Sequence, residues 1–178
     1  MNVSDLKTCL NFSRLPKQPS GQRAWPERIL MTDEDRLADP LPTVESLPRG
    51  SAVILRHYGF SGREELARRL VSMTRRRHIK VLVAADARLA HRVGADGLHL
   101  PEAMAALGPG PWRAWAKPGW MVTAAAHSPA ALFRAQASGA DAVLLSPVFP
   151  TASHPEAAGL GPVRFSRWCR QSPLPVYA

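Results

Sequence analysis

From residue 28 onward the chain repeats one pattern, a run of about five residues that is apolar on both faces, followed by a stretch of helical periodicity. The runs are Ile29-Leu30-Met31-Thr32, Ala52-Val53-Ile54-Leu55-Arg56, Val81-Leu82-Val83-Ala84, Gly97-Leu98-His99-Leu100, Trp120-Met121-Val122-Thr123-Ala124, Ala142 to Leu145 and Pro175 to Ala178. A strand with one wet face alternates apolar and polar side chains. These runs do not, so both of their faces need cover, and the segments between them supply it. Gly62 to Arg77 carries Leu66, Leu70, Val71 and Met73 at amphipathic helical spacing. Ala87 to Val93 is a short helix stopped by Gly94, and Val163 to Gln171 is another helix. Ser128-Pro129 opens a helix as N-cap and first helical residue, and Gly139 closes it. Between the first two runs, Pro40, Pro42 and Pro48 leave room only for a short helix. The pattern predicts a parallel α/β sheet with seven strands, either a (β/α)₈-type barrel or an open doubly wound sheet. No G-x-G-x-x-G follows the first strand, which speaks against a dinucleotide site.

A chain of 178 residues suits one domain, and 46% apolar residues are enough for a sizeable core. Residues 1–27, with Pro16, Pro19, Ser20, Gly21 and Pro26, read as an irregular extension, and residues 28–178 as the domain. No apolar run approaches the roughly 20 residues of a membrane span, and Met1 to Leu10 lacks the apolar core of a secretory signal. Cys9 and Cys169 share no ligand-like spacing, so the expectation is a cytoplasmic protein with reduced thiols and no bound metal. The net charge of +9 is concentrated between Arg56 and Arg92, where ten Lys/Arg residues face Glu64, Glu65 and Asp86. A face bearing Arg68, Arg69, Arg75, Arg76 and Arg77 would suit nucleic acid, but no recognition signature accompanies it. A solvated helix exterior is the expectation.

In a barrel, chemistry belongs at the C-terminal ends of the strands. Asp33, Arg56, Asp86, His127 and the loop from Ser146 to His154 fall there. Several segments are distinctive beyond their pattern: Ile29-Leu30-Met31-Thr32-Asp33, Val53-Ile54-Leu55-Arg56, Gly94-Ala95-Asp96-Gly97-Leu98-His99-Leu100, Gly139-Ala140-Asp141, Ser146-Pro147-Val148-Phe149-Pro150-Thr151 and Pro175-Val176-Tyr177-Ala178. In order and spacing they resemble the thiamine phosphate synthase/TenI superfamily over residues 28 to 178. The resemblance implies a TIM-type (β/α)₈ barrel, here incomplete at about seven strands, with the last strand and its phosphate loop missing.

The superfamily holds two reactions. A synthase joins an aminopyrimidine pyrophosphate to a thiazole phosphate with magnesium, and a TenI-type tautomerase shifts a proton on a carboxythiazole phosphate without metal. Several synthase positions are altered here. Ile54 and Tyr58 replace a glutamine and a lysine, which leaves Arg56 as the phosphate partner. Pro101-Glu102-Ala103-Met104 puts a methionine where the family has its second magnesium carboxylate, and a thioether is a poor ligand for so hard a cation. Thr151-Ala152-Ser153-His154 keeps hydroxyls where the family has a fixed lysine. Thr123-Ala124-Ala125-Ala126-His127-Ser128 resembles the TenI segment after strand five, so the resemblance implies His127 as general acid/base. An imidazole suits that task, because its ordinary pKa of about 6.5 lets it take and return a proton near neutrality. Arg56, Thr151, Ser153 and His154 are then the substrate or phosphate contacts. His57 and His91 are expected at the surface and His99 packed in its strand.

The favoured reading is a tautomerase of thiamine biosynthesis acting on a small phosphorylated thiazole, with no cofactor. The alternatives are the synthase, which would need magnesium, and a non-catalytic relative that binds thiazole or thiamine phosphate. The resemblance also implies that a barrel ending at strand seven is impaired alone and, having open edges, self-associates.

Overall fold

A computed structural model describes residues 25–150 and 159–178. They form two compact units, one of residues 25–99 and 111–122, the other of residues 100–110, 123–150 and 159–178. Seven strands alternate with helices, and their order in the sheet is the order of the chain. This is the strand–helix succession of a TIM-type α/β fold.

In the first unit, β1 (Ile29–Met31), β2 (Ala52–Leu55), β3 (Lys80–Ala84) and β4 (Gly97–Leu100) pair in parallel, with Leu30 opposite Val53, Val53 opposite Val81, and Val83 opposite Leu98. Every residue of β2 and β4 is buried, as runs without alternation require. The covering helices are α1 (Leu41–Glu45), α2 (Arg63–Thr74) and α3 (Ala87–Val93). Leu66, Ala67, Leu70 and Val71 of α2 pack with Val53, Leu55, Val81 and Val83 into one core cluster. The predicted helix to Arg77 tightens to a 3₁₀ turn over Arg75–Arg77, and His78 then turns left-handed at φ 53°. Arg77 donates to the carbonyls of Val44, Glu45 and Leu47, so this member of the basic run ties off the end of α1. Arg68 and Arg92 both pair with Glu64 at 2.6 Å, which leaves the arginine-rich face braced within itself.

Asp86 caps α3, its carboxylate accepting from the Leu89 N–H, and Gly94 ends it at φ 70°. Asp96 then knits strand beginnings together. Its carboxylate accepts from the Val81 N–H at 2.9 Å, and its carbonyl accepts from the Met121 N–H at 2.9 Å. Gly97 has no alternative at this junction, since a Cβ there would lie 1.9 Å from the Met121 carbonyl oxygen.

In the second unit, β5 (Met121–Ala126, from Thr123 onward), β6 (Ala142–Leu145) and β7 (Val176–Tyr177) are parallel, with Ala124 opposite Val143 and Leu144 opposite Tyr177. Strand β5 continues two residues past the predicted end, which brings its terminus to His127. The helices are α4 (Glu102–Ala105), α5 (Pro129–Ser138) and α6 (Gly161–Gln171). Ser128 accepts from the Ala131 N–H and Gly139 closes α5 at φ 86°, as the sequence predicts. Among the described residues no helix is long and apolar enough to cross a membrane.

Candidate functional site

In the first unit the reactive side chains follow β1, β2 and β3. Thr32 is fully buried, and its Oγ1 accepts from the Arg56 N–H at 3.1 Å. The same oxygen lies 2.9 Å from His57 Nδ1, while His57 Nε2 faces the Ala38 carbonyl at 3.4 Å. A carbonyl only accepts, so the neutral His57 ring carries its hydrogen on Nε2 and accepts from the Thr32 hydroxyl at Nδ1. His57 is 2% exposed, which corrects the expected surface position. A left-handed backbone (φ 25°) folds the ring back over the strand end, a conformation that its residue type does not announce.

Asp33 closes the turn after β1, accepting from the Asp35 and Arg36 N–H groups and, at 2.8 Å, from the Arg36 guanidinium. The Arg36 hydrogen bond holds the Asp33 carboxyl down at about 2. Arg56 stands 3.8 Å from the same carboxylate and 5.9 Å from the Tyr58 ring, and keeps about a third of its side chain exposed. Arg63 bridges strand ends, donating to the Ala84 carbonyl at 2.6 Å and the Leu55 carbonyl at 3.4 Å. Burial pulls its pKa down and Asp86 opposes that pull. His99 is buried within β4, and burial, reinforced by the Arg56 charge, pushes its pKa down to about 4.

In the second unit His127 follows β5 and is exposed. Its Nδ1 lies 2.6 Å from the Ser146 carbonyl at the end of β6. The neutral ring therefore carries its hydrogen on Nδ1 and its lone pair on Nε2. The His127 backbone N–H donates to Glu102 at 2.9 Å, and the other oxygen of Glu102 accepts from Arg134 on α5 at 2.9 Å. The Ser146 carbonyl after β6 thus holds the imidazole, while Glu102 of α4, itself held by Arg134 of α5, holds the backbone that carries it.

Of the residues expected in the site, Arg56 and His127 lie directly after their strands, while Thr151, Ser153 and His154 fall outside the described residues. Glu102, Arg134 and the Ser146 carbonyl join His127 only in three dimensions, and in the first unit Arg63 reaches the strand ends in the same way.

Within each unit the carboxylates considered for magnesium are engaged by the protein itself. Both Glu102 oxygens serve His127 and Arg134, Asp86 serves as a helix cap, and Met104 offers sulfur. Among the described residues no three His, Cys, Asp or Glu side chains gather as metal ligands do.

Residues 29–178 match the family profile described as thiamine monophosphate synthase. The chain belongs to this family. It is 32% identical over 158 residues to "Putative thiamine-phosphate synthase 2" of Aquifex aeolicus, an alignment covering 86% of this chain and 83% of that one. It is 30% identical over 143 residues to the thiamine-phosphate synthase of Bacillus velezensis, covering 72% of this chain and 59% of the relative. Thiamine phosphate pyrophosphorylase from Pyrococcus furiosus superposes with a TM-score of 0.64 at 24% identity, over 84% of this chain and 72% of that chain, which shows the shared fold. The family's business is thiamine biosynthesis.

Proposed function

We propose that this member of the thiamine monophosphate synthase family is a TenI-like thiazole tautomerase, with His127 as its general acid/base. The observation that carries the reading is the 2.6 Å contact between His127 Nδ1 and the Ser146 carbonyl. It sets the tautomer in which Nε2 bears the lone pair, as a base needs. Glu102 holds the backbone of the same residue and is itself held by Arg134, so the ring is positioned from both ends. The Nε2 atom takes a proton from the non-aromatic thiazole carbon, and the resulting imidazolium returns one to the conjugated system. The gain of aromaticity drives the exchange, and no metal is needed to generate the base. Arg56, whose side chain stays about a third exposed, is assigned to the substrate phosphate, along with Thr151, Ser153 and His154. Residues 28–178 are taken as the functional domain.

The test is conversion of the carboxythiazole phosphate tautomer, followed by proton NMR, for the parent chain, His127→Ala and His127→Asn. A loss of about a hundredfold or more in both variants, with substrate still bound, is the expected result. Magnesium-dependent pyrophosphate release from an aminopyrimidine pyrophosphate would establish the synthase instead. Binding without turnover by the parent chain would establish the non-catalytic relative.

A further inference from the structure

A cavity of the first unit lies at the opposite end of its strands. It has a volume of about 660 Å³, and its walls include Arg75, His78, Lys80, Asp96, Lys117 and Trp120. Lys80 opens β3, Asp96 precedes β4 and Trp120 precedes β5, so these are strand beginnings. Along β3 the ends are roughly 13 Å apart at 3.3 Å per residue, so this cavity is distinct from the cluster around Arg56 and Asp86. We propose that it binds a small phosphate monoester carrying an apolar ring.

Three observations support this. First, the volume falls within the range of about 300–1,000 Å³ typical of small-molecule sites. Second, the walls hold three permanent cations against one carboxylate, and the Asp96 carboxylate is turned to the Val81 N–H. Lys117 donates to the His91 carbonyl at 2.9 Å, which anchors an ammonium that has further hydrogens to give. Arg75 approaches Gly94, where even a Cβ would stand 3.7 Å from a guanidinium nitrogen. Third, Trp120 stands on the same wall as Lys117, so an aromatic guest has an indole to lie against beside an ammonium for its phosphate. Val71, Ile79 and the body of Trp120 supply apolar wall for the ring.

The local sequence builds this wall deliberately. Lys117-Pro118-Gly119-Trp120 is a turn closed by the Trp120 N–H on the Lys117 carbonyl at 3.1 Å, with Gly119 at φ 82°. Proline and then glycine at the two central positions are what such a turn demands, and it sets Lys117 and Trp120 side by side.

The experiment is titration of the ¹⁵N-labelled full chain with phenyl phosphate, phenol and inorganic phosphate, read at the Trp120 indole signal (assigned with Trp120→Phe). Phenyl phosphate should shift that signal saturably, with phenol and inorganic phosphate each weaker. The doubly substituted Arg75→Gln/Lys117→Gln chain should bind about tenfold or more weakly at unchanged thermal stability. Arg56→Ala, which lies at the other strand ends, should leave the titration unchanged, and so should His127→Ala. A Trp120 signal unmoved by phenyl phosphate, equal binding of phenol, or an unaltered titration in the double variant would each overturn the proposal. A titration abolished by Arg56→Ala would overturn it too, since the ligand would then occupy the other end.

Discussion

His57 and His127 lie two residues and one residue past the ends of β2 and β5, yet their surroundings have opposite consequences. His57 is buried with both nitrogens turned to protein groups, Thr32 on one side and the Ala38 carbonyl on the other. His127 is exposed, and the Ser146 carbonyl occupies its Nδ1. The first ring carries its hydrogen on Nε2 and the second on Nδ1, because in each case a carbonyl decides which nitrogen donates. Burial turns the first ring into part of the architecture, whereas the second keeps solvent access while a carbonyl fixes its tautomer.

Exchanging the two for alanine tests that contrast most severely. His127→Ala should lower turnover about a hundredfold or more while the unfolding midpoint stays near the parent value. His57→Ala should cost about 2 kcal/mol or more of stability, through an emptied site and a Thr32 hydroxyl deprived of its acceptor. Chemical denaturation beside the tautomerase assay measures both. Loss of stability in the first variant with full activity retained would reverse the assignments.

The next effect concerns acid. His99 ionises at about 4 in the fold because burial and Arg56 oppose its charge, against 6.5 when unfolded. Above pH 6.5 both states are neutral and pH has no effect through this group. Between 6.5 and 4 the unfolded chain takes the proton and the fold does not, so stability falls as the pH falls. The full loss is about 3 kcal/mol at 1.36 kcal/mol per pH unit. Denaturant midpoints at pH 7 and pH 4.5 should diverge in the parent and converge in His99→Gln.

These contrasts mark what the sequence could disclose. Strand ends at Asp33, Arg56 and Asp86 were legible because a charged residue stops an apolar run, whereas β5 runs on through two further alanines to His127. The caps at Ser128, Gly94 and Gly139 were legible because their chemistry is local. His57 was misread, since its burial depends on one left-handed residue folding it onto a threonine 25 positions away. The Glu102–Arg134 pair joins residues 32 apart, and His127 meets Ser146 across 19. Periodicity reports which face a residue occupies and is silent about its partner on another element. The same limit concealed Arg63, which reads as one more charge on a helix but ties together the ends of β2 and β3.

A smaller effect tests how His127 is held. Glu102→Ala removes the acceptor from the His127 N–H and the partner from Arg134, so the imidazole loses one of its two anchors. Turnover should drop about tenfold with little change in KM, because misplacement of a base weakens the transition state more than substrate binding. Glu102→Gln keeps an acceptor for the N–H and should recover most of the loss. Stability should change by less than about 1 kcal/mol, as the ion pair is partly exposed. Equal losses in the alanine and glutamine variants would mean that the Arg134 charge, and not the backbone anchor, is what matters.

The smallest effect belongs to Asp33, beside the other histidine. Its carboxyl is lowered from 3.8 to about 2, chiefly by the Arg36 guanidinium. A lowered carboxyl stabilises the fold above its unfolded pKa, and that contribution fades as pH drops from 3.8 through 2. It therefore acts below the window in which His99 titrates, and the two can be separated in one pH series. Asp33→Asn keeps an oxygen for the Asp35 and Arg36 N–H groups but gives up the ionic contact. Its unfolding midpoint should sit slightly below the parent's at pH 7 and meet it near pH 2. The turn is solvent-exposed, so salt should shrink the gap at pH 7 as well. A gap that persists in high salt would mean that the carboxylate is simply the better acceptor for the Asp35 and Arg36 N–H groups than an amide oxygen, with the ion pair to Arg36 incidental.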